Sequence, residues 1–171
     1  SGLYYKPGSL KAKNCIDGYQ MLLDFCDQHE VPYDLCGKVV VATEKSELGR
    51  LRDLYDRGRE NGLEGLKMLN KDELQAIEPH LAGIQGIYVP QTGIINYTSV
   101  CEKLAEAIAK NGGEIHLNTQ VKSIEETDNG VQIVTNKSFV ECDMVINCAG
   151  LYSDEVAEMH LEKIDTRIIP F

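Results

Sequence analysis

The stretch Asp143-Met-Val-Ile-Asn-Cys-Ala-Gly150, continued by Leu151-Tyr-Ser-Asp-Glu-Val-Ala157, constrains this chain more than any other. Met144, Val145 and Ile146 form a short apolar run, and the small residues Cys148, Ala149 and Gly150 follow at once. Ser153 or Asp154 is then placed to cap a helix through Glu155, Val156 and Ala157. The pattern predicts a buried strand, a tight turn of small residues and a helix start. Open α/β sheets bind ligands at such strand tips, because the crevice lies outside their carboxyl ends. Small side chains there also let a bulky group approach the backbone. The alternative is an ordinary strand–turn–helix that holds no ligand.

Taken in order, the rest of the chain alternates strands with amphipathic helices. Gly2 to Pro7 reads as a strand entering a turn at Pro7-Gly8-Ser9. Ile16, Tyr19, Leu22, Leu23 and Cys26 fall at helical spacing, predicting a helix from about Asn14 to Glu30 that Pro32 stops. Gly37-Lys-Val-Val-Val-Ala-Thr43 is a Val-rich strand. Glu44 to about Glu60 reads as a charged helix with Leu48, Leu51, Leu54 and Tyr55 inward. Gly58, Asn61, Gly62 and Gly65 mark its end and a loop, without the spacing of a dinucleotide fingerprint. Asn70 and Glu73 form the two ends of a capping box for a short helix ended by Pro79.

Short strands follow at Gly86 to Pro90 and Gly93 to Asn96, then a helix from Asn96 to about Lys110 with Val100, Leu104, Ala107 and Ile108 inward. Asn111-Gly-Gly113 closes it, and Glu114 to Leu117 is the next expected strand. Thr119 to Ile124 and Val131 to Thr135 read as a hairpin around Asp128-Asn-Gly130. A last strand is expected to begin at Thr166-Arg-Ile-Ile-Pro170.

Composition narrows the function classes. The formal net charge of -10 argues against a nucleic-acid partner, because phosphate binding needs basic surface. No run approaches the roughly 18–20 apolar residues that cross a bilayer. The chain starts on Ser1 and opens directly into Gly2-Leu-Tyr-Tyr5, which suggests a piece of a longer protein. Cys15, Cys26, Cys36, Cys101, Cys142 and Cys148 make no C-x-x-C pair and lie at no metal-ligand spacing from a His. Most sit in apolar-periodic segments, so buried reduced thiols and a cytoplasmic setting are expected, with peripheral membrane attachment of the parent as the alternative. His29, His80, His116 and His160 are scattered and read as surface or structural. No Ser–His–Asp or Cys–His pattern supports nucleophilic catalysis, and no catalytic base is identifiable.

Val145-Ile-Asn-Cys-Ala-Gly-Leu-Tyr-Ser-Asp154 resembles the "V-V-N-A-A-G-x-W-S" segment of FAD-dependent oxidoreductases related to D-amino-acid oxidase. Cys148 replaces the first small residue, and Tyr152 stands where many members have Trp. The helix–Gly–strand unit after Gly93 is similar to that family's "G-x-V-D-P … L … A … G-A-x-I" segment, with Asn96 and Tyr97 for Asp-Pro. Asn keeps the capping oxygen, and a helix tolerates losing Pro at its first position. Thr119-Gln-Val-Lys-Ser-Ile124 matches the family's "T-x-V-x-x-I". The opening, Gly2-Leu-Tyr-Tyr-Lys-Pro-Gly-Ser-Leu-Lys-Ala12, resembles the branch of L-2-hydroxyglutarate oxidases and dehydrogenases.

The resemblance implies a mixed α/β (α+β) fold: part of an FAD-binding Rossmann-like domain plus an antiparallel-sheet substrate domain. Residues 1–95, with 165–171, correspond to the substrate domain, and 96–164 to part of the FAD domain. The family's glycine-rich N-terminal turn and its C-terminal segment have no counterpart here, so the chain alone is expected to be inactive. Resemblance also implies that Val121 meets the adenine end of FAD and that Cys148, Ala149, Gly150 and Leu151 pass beside its pyrophosphate and ribityl chain. The implied substrate is a small dicarboxylate, with oxygen or a quinone as electron acceptor. Carboxylates call for cationic or hydroxyl donors, and Tyr4, Tyr5, Lys6 and Lys11 are the candidates. Other substrates of the same family (glycerol 3-phosphate, glycine or another amino acid) and a non-catalytic α/β interaction domain stay as alternatives.

Overall fold

Ser9 sets where the first helix begins. Its hydroxyl accepts from the Ala12 backbone N–H at 3.2 Å, so helix α1 spans Leu10–Gln28, one turn earlier than apolar spacing alone suggests. The helix ends in a Schellman turn and not at Pro32. Glu30 adopts the left-handed conformation (φ 57°), and the Val31 N–H reaches back to the Cys26 carbonyl at 2.9 Å. Cys26 and Val31 are both buried, together with Val100.

The computed structural model describes residues 2–161 and 164–169. These fall into two units, Ser1–Asn111 and Gly112–Phe171. In the first, strands β2 (Lys38–Ala42), β3 (Lys67–Asn70) and β4 (Gln85–Val89) form an antiparallel sheet in the order β2-β4-β3. A smaller ladder pairs β1 (Tyr33–Asp34) with β5 (Ile94–Ile95). Strand alternation sorts the sheet's two faces. Val40, Ala42, Ile87 and Val89 pack with Leu3 and with helix α2 (Leu48–Glu60), which follows a single 3-10 turn at Lys45–Glu47. Leu51, Leu48, Leu54 and Tyr55 of that helix line the same core, as their spacing predicts. The opposite face carries Val39 and Val41 against Leu74 of helix α3 (Lys71–Ile77), where Gly86 and Gly83 leave room for the leucine. Leu3, Ile87, Val89 and Leu74 are fully buried, each contributing about 1.5–3 kcal/mol of apolar burial.

Local chemistry explains most of the remaining elements. The capping box of α3 is present: Asn70 Oδ1 accepts from the Glu73 N–H at 3.0 Å, and Glu73 Oε2 accepts from the Asn70 N–H at 2.7 Å. Helix α4 (Tyr97–Lys110) starts at Asn96, whose side chain accepts from Thr98 and Ser99. Val100 on α4 is buried, but Leu104 and Ile108, predicted to face inward, are 46% and 44% exposed. In the second unit β6 (Val121–Thr127) and β7 (Gly130–Thr135) form the predicted hairpin, and β8 (Phe139–Cys142) adds a third antiparallel strand.

Four expected strands are not formed. Residues 2–7 follow a bent path whose carbonyls are taken by side chains. Residues 114–117 and 143–147 are unpaired, and Met144 and Ile146 are 73% and 75% exposed where a buried strand was expected. Residues 166–169 are likewise outside any ladder, while Pro170 and Phe171 lie outside the described residues. An apolar run becomes a strand only where a second strand satisfies its N–H and C=O groups, and none among the described residues does so. Conversely, β1, β3 and β8 are too short or too polar to announce themselves. The cysteines also differ from expectation: Cys26 alone is buried, Cys15 and Cys142 are half-buried, and Cys36, Cys101 and Cys148 are exposed, none of them in a disulfide.

Candidate functional site

Two loci carry the residues singled out from the sequence, one in each unit. The first is the strap from Gly2 to Lys6. Leu3 pins it, being fully buried in the core under α2. The end of α2 then captures the strap's carbonyls. Asn61 Nδ2 donates to the Gly2 carbonyl at 2.6 Å and to the Tyr5 carbonyl at 2.9 Å, and Arg57 Nη1 donates to the Tyr4 carbonyl at 2.9 Å. With its backbone fixed this way, the strap presents Tyr4 and Tyr5, 51% and 41% exposed.

Tyr4 has a partner that sequence reading did not single out. Lys38 Nζ lies 3.4 Å from the Tyr4 hydroxyl and 4.7 Å from the centre of its ring. Lys38 shares the inward period of β2 with Val40 and Ala42, so it leaves the sheet on the face that carries Leu3. A cation on the apolar period of a strand is the signal that marks it in the sequence. Gly37 fixes its position. That residue has φ +75°, its N–H donates to the Thr92 carbonyl at 2.7 Å, and a Cβ there would lie 2.7 Å from the Tyr88 hydroxyl. Lys6 and Lys11, by contrast, are exposed; the Lys6 carbonyl closes the Ser9 turn and Lys11 sits in the first turn of α1. The structure therefore groups Tyr4 with Lys38 and Arg57, and leaves Lys6 and Lys11 without a shared focus.

The second locus is the small-residue turn. Asn147 staples it, its Oδ1 accepting from the Ala149 N–H at 3.1 Å and its Nδ2 donating to the Ser153 carbonyl at 2.8 Å. Gly150 takes φ +60° and begins a 3-10 turn, Gly150–Tyr152, that runs into helix α5 (Ser153–Glu158). Asp154 anchors the other end by accepting from the Ile168 N–H at 3.1 Å and the Glu155 N–H at 3.0 Å. Those backbone hydrogen bonds, Ile168 first, hold its carboxyl below the usual aspartate range, with Arg167 at 3.8 Å adding to the effect. Outward from these anchors, Cys148 and Leu151 are exposed and Ala149 is half-buried. A Cβ built on Gly150 meets nothing within 4 Å. Val121 is the first residue of β6, paired with Thr135 and followed by a bulge before Ser123.

This turn fits a large flat cofactor. Asn147 takes the Ala149 N–H and holds the Ser153 carbonyl, and open space lies beyond Gly150. Met144, Ile146, Leu151 and Tyr152 are all more than 60% exposed beside it, an apolar surface suited to a covering group. Among the described residues no cluster of His, Cys, Asp and Glu is placed to hold a metal ion. No helix of the described residues is long and apolar enough to cross a membrane.

An L-2-hydroxyglutarate dehydrogenase of Indibacter alkaliphilus is 49% identical over 172 residues, covering 100% of this chain and 43% of the relative. The human mitochondrial L-2-hydroxyglutarate dehydrogenase is 39% identical over 183 residues, covering 100% of this chain and 40% of its own length. The chain thus spans about two-fifths of the curated relatives it matches. Among solved structures, glycine oxidase from Geobacillus kaustophilus superposes with a TM-score of 0.82 at 19% identity, over 93% of this chain and 45% of that one. An L-α-glycerophosphate oxidase from Mycoplasma pneumoniae with FAD bound gives 0.80 at 26% identity, over 93% and 44%. A family profile for FAD dependent oxidoreductases (DAO) matches residues 1–171, and the chain belongs to that family.

Proposed function

We propose that the full-length protein is an FAD-dependent enzyme that oxidises L-2-hydroxyglutarate to 2-oxoglutarate. The single observation that carries this reading is the 49% identity, over the whole chain, to an L-2-hydroxyglutarate dehydrogenase. The reaction removes a hydride from C2 and the proton of the 2-hydroxyl, and leaves a ketone. FAD supplies the two-electron acceptor for that hydride. Residues 96–164 contribute its contacts: Val121 towards the adenine end, and Cys148, Ala149, Gly150 and Leu151 along the pyrophosphate and ribityl chain. Asn147 holds that turn through the Ala149 N–H and the Ser153 carbonyl. Residues 1–95, with 165–171, contribute to the substrate domain, Tyr4 and Tyr5 being presented to the dicarboxylate by the strap that Arg57 and Asn61 fix. Helix α4, at the start of the 96–164 stretch, packs through Val100 with Cys26 and Val31. Electrons leave to oxygen or a quinone, in a cytoplasmic or peripheral membrane setting.

Anaerobic bleaching of the flavin band tests the assignment. L-2-hydroxyglutarate should bleach it faster than D-2-hydroxyglutarate, glycerol 3-phosphate or glycine. Faster bleaching by any of those three overturns the substrate. Reoxidation by oxygen against a quinone analogue then identifies the acceptor.

A further inference from the structure

Resting on that reading, we propose that Lys38 and the Tyr4 hydroxyl together form a carboxylate-binding subsite, and that Lys38 is a residue determining specificity for a dicarboxylate. The Tyr4 oxygen accepts from Lys38 Nζ at 3.4 Å, so the phenolic proton is turned away from the lysine. The pair therefore offers a carboxylate an O–H donor polarised by an adjacent cation. A charge-assisted hydrogen bond of that kind is about twice as strong as a neutral one. Both members are held before any ligand arrives. Tyr4 rides on a strap fixed by buried Leu3 and by Arg57 and Asn61. Lys38 follows Gly37, whose positive φ and packing against Tyr88 set the direction of β2. Preorganised donors lose little freedom on binding, which is what separates a subsite from two surface side chains that happen to meet. Tyr4 is 51% exposed, so its hydroxyl stays within reach of a small ligand.

The test uses the full-length holoenzyme and glutarate, an unreactive dicarboxylate, with binding read from the perturbation of the flavin spectrum. Lys38→Met should weaken glutarate binding and raise KM for L-2-hydroxyglutarate by about 10- to 100-fold, with a smaller change in kcat. Lys38→Arg, which keeps the charge, should recover most of the loss. Tyr4→Phe should weaken glutarate by about 3- to 10-fold. Flavin-loaded Lys38→Met with glutarate Kd and KM within two-fold of the parent overturns the subsite. Where Lys38→Met loses flavin, Tyr4→Phe decides, and an unchanged glutarate Kd in that variant overturns it equally. The two readings fail separately. A parent that oxidises L-2-hydroxyglutarate indifferently to Lys38 refutes only the subsite. A parent that ignores this substrate, yet binds glutarate in a Lys38-dependent way, refutes only the substrate assignment.

Discussion

Gly58 and Leu3 offer a quantitative test of how the strap is held. A Cβ on Gly58 would lie 2.8 Å from Leu3 Cδ1 and 2.8 Å from Leu66 Cδ1, well inside ordinary contact. Leu3 is fully buried, so its methyl has no free space to enter. Overpacking of this kind costs about 1–3 kcal/mol. Replacing a helical Gly by Ala returns about 1 kcal/mol of helix propensity. Gly58→Ala alone should therefore destabilise the first unit by about 0–2 kcal/mol. Leu3→Ala alone opens a cavity beneath α2 and should cost about 2–5 kcal/mol. Together they should cost about 1 kcal/mol less than the sum, because the truncated Leu3 removes one of the two close contacts and the new methyl fills part of the hole. Native-state exchange of the Ile87 amide, in the central strand of that core, reads these energies without assuming that the whole protein unfolds in one step. Leu3→Ala should accelerate exchange by about 30- to 5,000-fold. Leu74→Ala, on the other face of the sheet, should add to Gly58→Ala without coupling. Additivity of Leu3→Ala with Gly58→Ala within about 0.5 kcal/mol refutes the close packing that holds the strap under Tyr4.

Two further predictions concern the second unit. Gly150→Val in the full-length protein should yield folded protein with little flavin, because the added side chain enters the open space proposed for the cofactor. Gly112→Val is the control, since Gly112 also has positive φ (+79° against +60°) and nothing near its would-be Cβ. It imposes similar backbone strain away from the turn. Full flavin occupancy in folded Gly150→Val, measured by absorbance ratio, removes the turn from the cofactor site. The third prediction is a pH dependence. Asp154 has its carboxyl depressed below the ordinary 3.8 by backbone hydrogen bonds, chiefly from Ile168. Its contribution is thus complete above the unfolded value and is lost as pH falls through the lower folded value. Protection of the Ile168 amide should disappear in that acid window, and Asp154→Asn should reduce it already at neutral pH. Equal protection in the variant and the parent at pH 7 discounts the anchor.

Sequence alone determined whatever is closed within a few residues. The capping box at Asn70 and Glu73, the cap at Asn96, the inward stripe of α2 and the 121–135 hairpin are all local, because a side chain three or four positions away supplies the missing partner or the matching period. The same locality made the small-residue turn at Cys148–Gly150 legible, and with it the family. Tertiary structure decided what depends on distant partners. Residues 2–7 carry a strand-like composition, yet Arg57 and Asn61, more than fifty positions away, take their carbonyls. Residues 143–147 are apolar enough for a strand, but an extended segment is only as regular as the ladder beside it. Leu104 and Ile108 have the period of a buried face and remain exposed, since periodicity states which side is apolar and not what covers it. The Tyr4–Lys38 pair is the sharpest case. Its members lie 34 positions apart, and no local pattern joins them. They meet because Leu3 and Val40 share one core, and burying those two side chains brings their neighbours together.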